Sequence, residues 1–173
     1  MRTFFMNTER ISFSEWTEND IGLARTLWGD EDVTRFICAS GLFSEQDIHA
    51  RLNREIKNYQ QYGMQYWPIF NKEDGDFIGC CGLRPYDLEN RIYEIGFHLR
   101  SKYWGVGLGS EAANAVINYA FHSLNASDLF AGHNPNNVNS KKILERLGFH
   151  YINDEFYELT GLYHPSYRYV TSE

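Results

Sequence analysis

Arg100-Ser-Lys-Tyr-Trp-Gly-Val-Gly-Leu-Gly109 lies just past the middle of the chain, between a strand-like run and a helical one. Before it, Arg91 to Leu99 (RIYEIGFHL) alternates, with Tyr93, Ile95, Phe97 and Leu99 on one face and Glu94, Gly96 and His98 on the other. After it, Ala112, Val116, Ala120 and Leu124 form one helical row and Ala113, Ile117 and Phe121 the adjoining one. A helix N-terminus presents unpaired N–H donors and a partial positive charge. Glycines at 105, 107 and 109 would let an anion reach those donors with no Cβ in the way. The unit is predicted to be an anion cradle suited to a pyrophosphate; a turn built for packing alone is the competing reading. Two other phosphate loops do not fit. A P-loop needs a lysine after its last glycine, and Gly109 is followed by Ser110. A dinucleotide fingerprint starting at Gly105 would need its third glycine at Ser110, and it usually opens a domain rather than following three strands.

Working outward, Thr8 to Phe13 is predicted as a first strand, and Thr17-Glu18-Asn19-Asp20 as the start of a helix carrying Ile21, Leu23, Ala24, Leu27 and Trp28. Ser44-Glu45-Gln46-Asp47 repeats that signal ahead of Ile48, Leu52, Ile56 and Tyr59, and Gly63 ends the second helix. Strands follow at Gln65–Asn71 and Asp76–Arg84, joined by an Asp74-Gly75 turn, and then at Arg91–Leu99. Beyond the glycine loop and its helix come a strand at Asp128–His133, a helix with Ile143, Leu144 and Leu147 ending at Gly148, and strands at Phe149–Glu158 and Tyr163–Thr171. The order β-α-α-β-β-β-α-β-α-β-β is an α/β (α+β) fold with a largely antiparallel front half. No repeat or low-complexity linker interrupts it, so residues 1–173 read as one domain.

The chain has 173 residues, 43% hydrophobic and 16% aromatic, a composition that excludes intrinsic disorder. Sixteen Lys and Arg against 23 Asp and Glu give a net charge of −7, with no run of four basic residues. A nucleic-acid partner is therefore not expected. An acidic protein suits a cationic or amine-bearing partner, or simply carries a solvated acidic surface. No stretch reaches the ~20 apolar residues of a membrane span, and the opening residues do not read as a leader; no membrane partner and a cytoplasmic location are expected. Cys38, Cys80 and Cys81 do not make a disulfide framework, and adjacent strand cysteines point to opposite faces. The six histidines show no metal-ligand spacing, so no metal is expected.

Three motifs together resemble a known family. Trp104-Gly-Val-Gly107-Leu-Gly109 is similar to the acetyl-CoA loop, Arg/Gln-x-x-Gly-x-Gly/Ala, of the Gcn5-related N-acetyltransferases (GNAT). Tyr103-Trp104-Gly105 resembles the branch that includes the ribosomal-protein N-terminal acetyltransferases. Asn137-x-x-Ser140 with Leu144-Glu-Arg-Leu-Gly148-Phe149 resembles the second signature, and Thr8-Glu9-Arg10-Ile11 the usual first strand. The resemblance implies a central, mixed but mostly antiparallel twisted sheet of about seven strands flanked by about four helices. It also implies transfer of an acetyl group from acetyl-CoA to a primary amine, on a protein N-terminus or a small molecule, by a monomer or homodimer.

It further implies roles for single residues. The pyrophosphate would meet backbone N–H groups from Val106 to Ser110, including Leu108. The pantetheine arm would lie along Glu94–Leu99, with Phe97, His98 and Leu99 beside the acetyl group and a backbone N–H there meeting the oxyanion. Asn137 would bond the arm, and Arg100, Lys102 and Lys141 the outer phosphates. Glu94 would draw the amine proton, with His98 as a competitor. A lysine-type amine (pKa near 10.4) needs such a base more than an α-amine near 8. Many relatives place a tyrosine where Leu144 stands; the resemblance to Rim-type relatives, with a serine one turn earlier, implies Ser140 as the acid for the leaving thiolate, unless Ser140 only caps its helix or the thiolate leaves unassisted. Tyr157, Tyr163, Tyr167, Tyr169, Trp67 and Phe70 are candidates for an acceptor groove or for strand core. Cys80 or Cys81 as an acyl carrier is a minor alternative to direct transfer. A non-catalytic acyl-CoA sensor of the same fold is the alternative to an enzyme.

Overall fold

Capping chemistry sets the longest helix. The Ser44 hydroxyl accepts from the Asp47 N–H (3.1 Å) while the Asp47 carboxylate accepts from the Ser44 N–H (2.9 Å), and Gly63 closes the far end in the left-handed region. The computed structural model describes residues 1–171. Its elements in chain order are β1 (Met6–Asn7), β2 (Ile11–Phe13), α1 (Ile21–Trp28), α2 (Glu31–Thr34), α3 (Glu45–Tyr62), β3 (Tyr66–Asn71), β4 (Phe77–Asp87), β5 (Ile92–Leu99), α4 (Leu108–Ser123), β6 (Asp128–Gly132), α5 (Val138–Leu147), β7 (His150–Tyr157) and β8 (Leu162–Tyr169).

All eight strands form one sheet in the order β1-β2-β3-β4-β5-β6-β8-β7, antiparallel everywhere except between β5 and β6. The expected sheet is present with one strand more than anticipated. Thr8–Phe13 is not a single strand: the Thr8 hydroxyl accepts from the Ile11 N–H (3.0 Å) and folds Thr8–Arg10 into a turn between β1 and β2. The fifth helix, α2, is a single turn capped by Asp30, whose side chain accepts from the Asp32 N–H. The Thr17–Asp20 signal opens a short 3-10 turn, Glu18–Asp20, and α1 follows directly.

The sheet separates two cores. On one face α4 lays Ala112, Ala113, Val116, Ile117 and Ala120 against Trp67, Cys81, Leu83, Tyr93 and Ile95. The small alanines let the helix axis approach the strands closely. On the other face α1 and α3 cover Tyr66, Phe70, Phe77 and Cys80 with Leu27, Trp28, Ile48 and Leu52. Cys80 and Cys81 thus fall in different cores, as strand alternation requires.

Candidate active site

The parallel pairing of β5 with β6 stops after Ile92↔Asp128, Tyr93↔Leu129 and Glu94↔Phe130. Beyond it β5 stays with β4 as far as Gly79↔Leu99, and β6 stays with β8 as far as Gly132↔Ser166. The two half-sheets therefore diverge, and a cavity of about 700 Å³ opens between them. The Arg100 N–H bonds to the Ile78 carbonyl (2.9 Å), so strand alternation turns the backbone groups of Phe97 and Leu99 away from β4 and into the gap. Trp104 Nε1 donates to the Leu99 carbonyl (2.8 Å), which leaves the Leu99 N–H and both Phe97 groups as the open edge.

One end of the cavity is the glycine loop. Gly105 (φ +76°) and Gly107 (φ +82°) adopt the left-handed conformation that an L side chain resists, and Gly107 is the N-cap of α4. Among the described residues, no acceptor meets the N–H groups from Gly105 to Ser110; the first bond of the helix is Glu111 N–H to the Gly107 carbonyl (3.1 Å). These six N–H groups, one more than the expected row from Val106 to Ser110, are open donors at and just before the N-terminus of α4. Gly105, Gly107, Leu108, Gly109 and Ser110 line the cavity with Phe97, His98, Leu99 and Trp104, whereas the Val106 side chain is exposed and its carbonyl accepts from Arg10 Nη1 (2.9 Å).

That last bond belongs to a brace that the sequence reading did not foresee. The Glu111 carboxylate, in the first turn of α4, accepts from the Thr8 hydroxyl (2.6 Å), the Arg10 N–H (2.8 Å) and Arg10 Nε (2.7 Å). It ties the β1–β2 turn to the loop. Glu111→Ala is expected to remove about 2 kcal/mol of stability, seen as a Tm lower by roughly 4–8 °C in thermal unfolding.

Across the gap α5 starts at Asn137, whose side chain accepts from the Ser140 N–H (3.2 Å). Asn137 is thus the cap. Ser140 is not; it is the third helical residue, its hydroxyl bonds no described residue, and it lines the cavity beside Asn137. Lys141 does not line the cavity, and Lys142 and Arg146 supply the cations there instead. Arg100 is also displaced from its expected role. Its guanidinium donates to the Phe77 carbonyl (2.6 Å) and the Asp76 carboxylate (3.3 Å), and Lys102 Nζ (2.7 Å) and the Tyr103 hydroxyl bond the same carboxylate. The hydrogen bonds from Lys102 and Tyr103 hold the Asp76 carboxyl far below the usual carboxylate range. Its contribution to stability is present above the unfolded value near 3.9 and falls away as pH drops below it. The Tm difference between wild type and Asp76→Asn is therefore expected to be largest near pH 7 and to narrow at pH 3.

The other end holds Glu94. Arg84 stands directly opposite it on β4 and donates through Nε (2.7 Å) and Nη2 (2.8 Å), one bond to each carboxylate oxygen. Each oxygen keeps a second lone pair toward the cavity that both residues line. His98 is on the same face, where Trp28 Nε1 donates to its Nδ1 (3.1 Å), so the ring proton is on Nε2. Burial, then the nearby Arg51 and Arg84, push its pKa well below that of a free imidazole. His98 is therefore neutral, with Nδ1 occupied by Trp28 and Nε2–H as its free donor. Gly96, between them, admits the Tyr66 ring: a Cβ there would lie 2.3 Å from the Tyr66 hydroxyl. Of the aromatic groove candidates only Tyr157 lines the cavity; Trp67, Phe70 and Tyr167 are core, Tyr169 packs against it and Tyr163 is exposed. Burial pushes the Cys80 thiol up to about 12 and the Cys81 thiol well above its ordinary value, so neither suits an acyl carrier.

Residues 10–150 match the family model described as an acetyltransferase (GNAT) domain. The chain belongs to the GNAT acetyltransferase family. It is 32% identical over 143 residues to the uncharacterized N-acetyltransferase p20 of Bacillus licheniformis, covering 82% of this chain and 80% of that protein. A GNAT-family acetyltransferase structure from Bacillus anthracis superposes with a TM-score of 0.80 at 22% identity, covering 96% of this chain and 98% of that one. RimL, a ribosomal L7/L12 alpha-N-protein acetyltransferase solved in complex with coenzyme A, superposes with a TM-score of 0.82 at 14% identity, covering 97% and 98%. At these identities the two structures establish a shared fold.

Within this GNAT chain, the sequence reading missed Arg51, Tyr66 and Arg84. Arg51 and Glu55 sit on the same stripe of α3 as Ile48 and Leu52, and a charged i,i+4 pair on an apolar stripe was the available signal. Arg84 was legible only through the β4–β5 register.

Proposed function

We propose that this protein is an acetyl-CoA-dependent N-acetyltransferase that acts on a primary amine by direct transfer within a ternary complex. The observation that carries the reading is the row of unpartnered N–H groups from Gly105 to Ser110 opening onto the divergence of β5 from β6. The donor set suits a pyrophosphate, and the open Phe97–Leu99 edge suits an extended amide-bearing arm, so the residues fit the cofactor. When bound, acetyl-CoA supplies the acetyl group as an activated thioester.

The chain's own residues then divide the work. The Gly105–Ser110 amides hold the pyrophosphate, with Lys142 and Arg146, which line the same cavity, for the outer phosphate. Asn137 Nδ2 and the Phe97 backbone bond the arm. The Leu99 N–H points into the gap, where it can donate to the acetyl oxygen as negative charge develops. Glu94, oriented by both bonds from Arg84, takes the amine proton through a water on its open lone pairs. The free Ser140 hydroxyl donates to the departing sulfur. We place this activity in a single domain over residues 1–173, acting in the cytoplasm as a monomer or homodimer.

A second reading, an acyl-CoA sensor without turnover, is favoured by one observation: both oxygens of Glu94 are already engaged by Arg84. Incubation with acetyl-CoA and a panel of primary amines, followed by release of free thiol, separates the two. Amine-dependent thiol release supports the enzyme. Acetyl-CoA binding with no release from any amine supports the sensor.

A further inference from the structure

One end of the cavity carries a buried guanidinium that its ion-pair partner, Glu55, meets through Nε alone. Arg51 lines the cavity from α3, and its side chain is only 6% exposed. Its sole hydrogen bond among the described residues runs from Nε to Glu55 (3.1 Å), and Nη2 is fully buried with no partner. Glu55 is its buried counter-ion, and the other Glu55 oxygen accepts the Tyr66 N–H (2.5 Å). The guanidinium lies between two ring faces, 5.2 Å from the Trp28 ring and 5.2 Å from the Tyr66 ring. Such stacking fixes its plane and leaves its outer edge unmatched.

Two further donors line the same cavity. His98 carries its proton on Nε2, since Nδ1 accepts from Trp28. The Tyr66 hydroxyl bonds no described residue and faces Gly96. The acids that line the same cavity are otherwise engaged: Glu94 by Arg84, Glu155 by the Tyr86 hydroxyl (3.1 Å), and Asp32, 45% exposed, by Arg35. Nη2 is sealed in the protein, so Nη1, which bonds no described residue, is the donor that Arg51 can offer to the cavity that His98 and Tyr66 also line, and an anionic group of a ligand suits it.

We propose that Arg51 receives the carboxylate of the acceptor, and that the substrate is a small aminocarboxylic acid rather than a polycation or a protein N-terminus. This rests on the N-acetyltransferase reading and names its substrate class. Arg51 and Arg84 both lie over the Tyr66 ring, 5.2 and 5.5 Å from its centroid, so one small molecule can bring a carboxylate to Arg51 and an amine to Glu94. Pairing the carboxylate with a guanidinium also withdraws its attraction for the amine proton, which eases deprotonation. One proton of the ammonium passes to Glu94, the freed amine attacks the thioester carbon, the C–S bond breaks, and the sulfur leaves as thiolate, taking the second amine proton by way of the Ser140 hydroxyl to become CoA thiol.

The test compares each of the twenty free amino acids with its carboxamide, at saturating acetyl-CoA, by thiol release. The expected result is at least one acid with kcat/KM about thirtyfold or more above its amide. In Arg51→Lys, and in the charge-balanced pair Arg51→Met with Glu55→Gln, that preference is expected to collapse to within about threefold, with the acetyl-CoA Kd held within about twofold. Amides or peptide N-termini used as well as free acids would overturn the proposal and leave the acetyltransferase reading standing. A preference unchanged in both variants would overturn it equally. Should either variant not fold, the wild-type acid-to-amide ratio decides alone. The proposal also falls if no free amino acid is either turned over or bound by the CoA-loaded protein. Failure of the wild type to bind acetyl-CoA is a different result, and it removes the parent reading as well.

Discussion

Gly107→Glu is expected to raise the Kd for acetyl-CoA by two orders of magnitude or more while leaving a folded protein. Gly107 has φ +82°, and an L residue there costs roughly 1–2 kcal/mol. In the free protein a Cβ would meet nothing closer than Arg10 Nη2 at 3.5 Å, so the fold tolerates the added atom. The bound state does not. A carboxylate at the N-cap of α4 would compete for the N–H donors that a pyrophosphate needs and repel its charge. Each ~1.4 kcal/mol lost is tenfold in affinity, so about 3 kcal/mol gives the expected loss. Calorimetric titration of the variant reads it directly, with Gly107→Ala as an intermediate case. Affinity retained within threefold in Gly107→Glu would mean that the loop packs the fold without cradling a phosphate.

Glu94→Gln is expected to lower kcat by about 10²–10³ with acetyl-CoA affinity unchanged. Gln keeps the shape and one acceptor but cannot take a proton, and its amide nitrogen faces an Arg84 donor that had faced an oxygen. Arg84 is 14% exposed, so leaving its charge unmatched also lowers stability, by about 3 kcal/mol. Rate and stability are separable because thermal unfolding reports the second, and kcat at a temperature well below the Tm reports the first. A base predicts a larger rate loss with an ε-amine than with an α-amine acceptor, since the former holds its proton more tightly. A kcat unchanged in the variant, with only Tm reduced, would make Glu94 the counter-ion of Arg84 and nothing more.

The parts of the molecule legible in the sequence are those fixed by local rules. β5 shows its two faces in eight consecutive letters. The capping box at Ser44 and Asp47 and the left-handed Gly63 mark both ends of α3. The loop declared itself because positive φ at two positions one residue apart requires glycine at both. β1 and α2 escaped because two and four residues are too few to show a period.

The charged side of the site was harder, for reasons of geometry. Lys141 and Lys142 differ by one residue, which on a helix is about 100° of rotation, and only the second reaches the cavity. Arg100 looked free in the sequence because its partner, Asp76, lies across the sheet at the start of β4. Arg84 and Glu94 meet only through a register that shifts between Pro85 and Asp87. Arg51 and Tyr66 converge from α3 and β3, a contact no local pattern records. Net charge carries little about the cavity as well. A chain at −7 suits a cationic or amine-bearing partner or simply a solvated acidic surface, while its cavity is lined by Arg51 and Arg84 among others. Net charge describes the surface as a whole, whereas the cavity is set by a few side chains drawn from distant elements.

The central claim, that the glycine loop and the open β5 edge hold acetyl-CoA, is tested most directly by calorimetric titration of the wild-type chain with acetyl-CoA, with CoA and NADH as controls. Micromolar binding at one site per chain is expected for acetyl-CoA and for CoA, and none for NADH. No binding of acetyl-CoA or CoA, or equal binding of NADH, would contradict that claim.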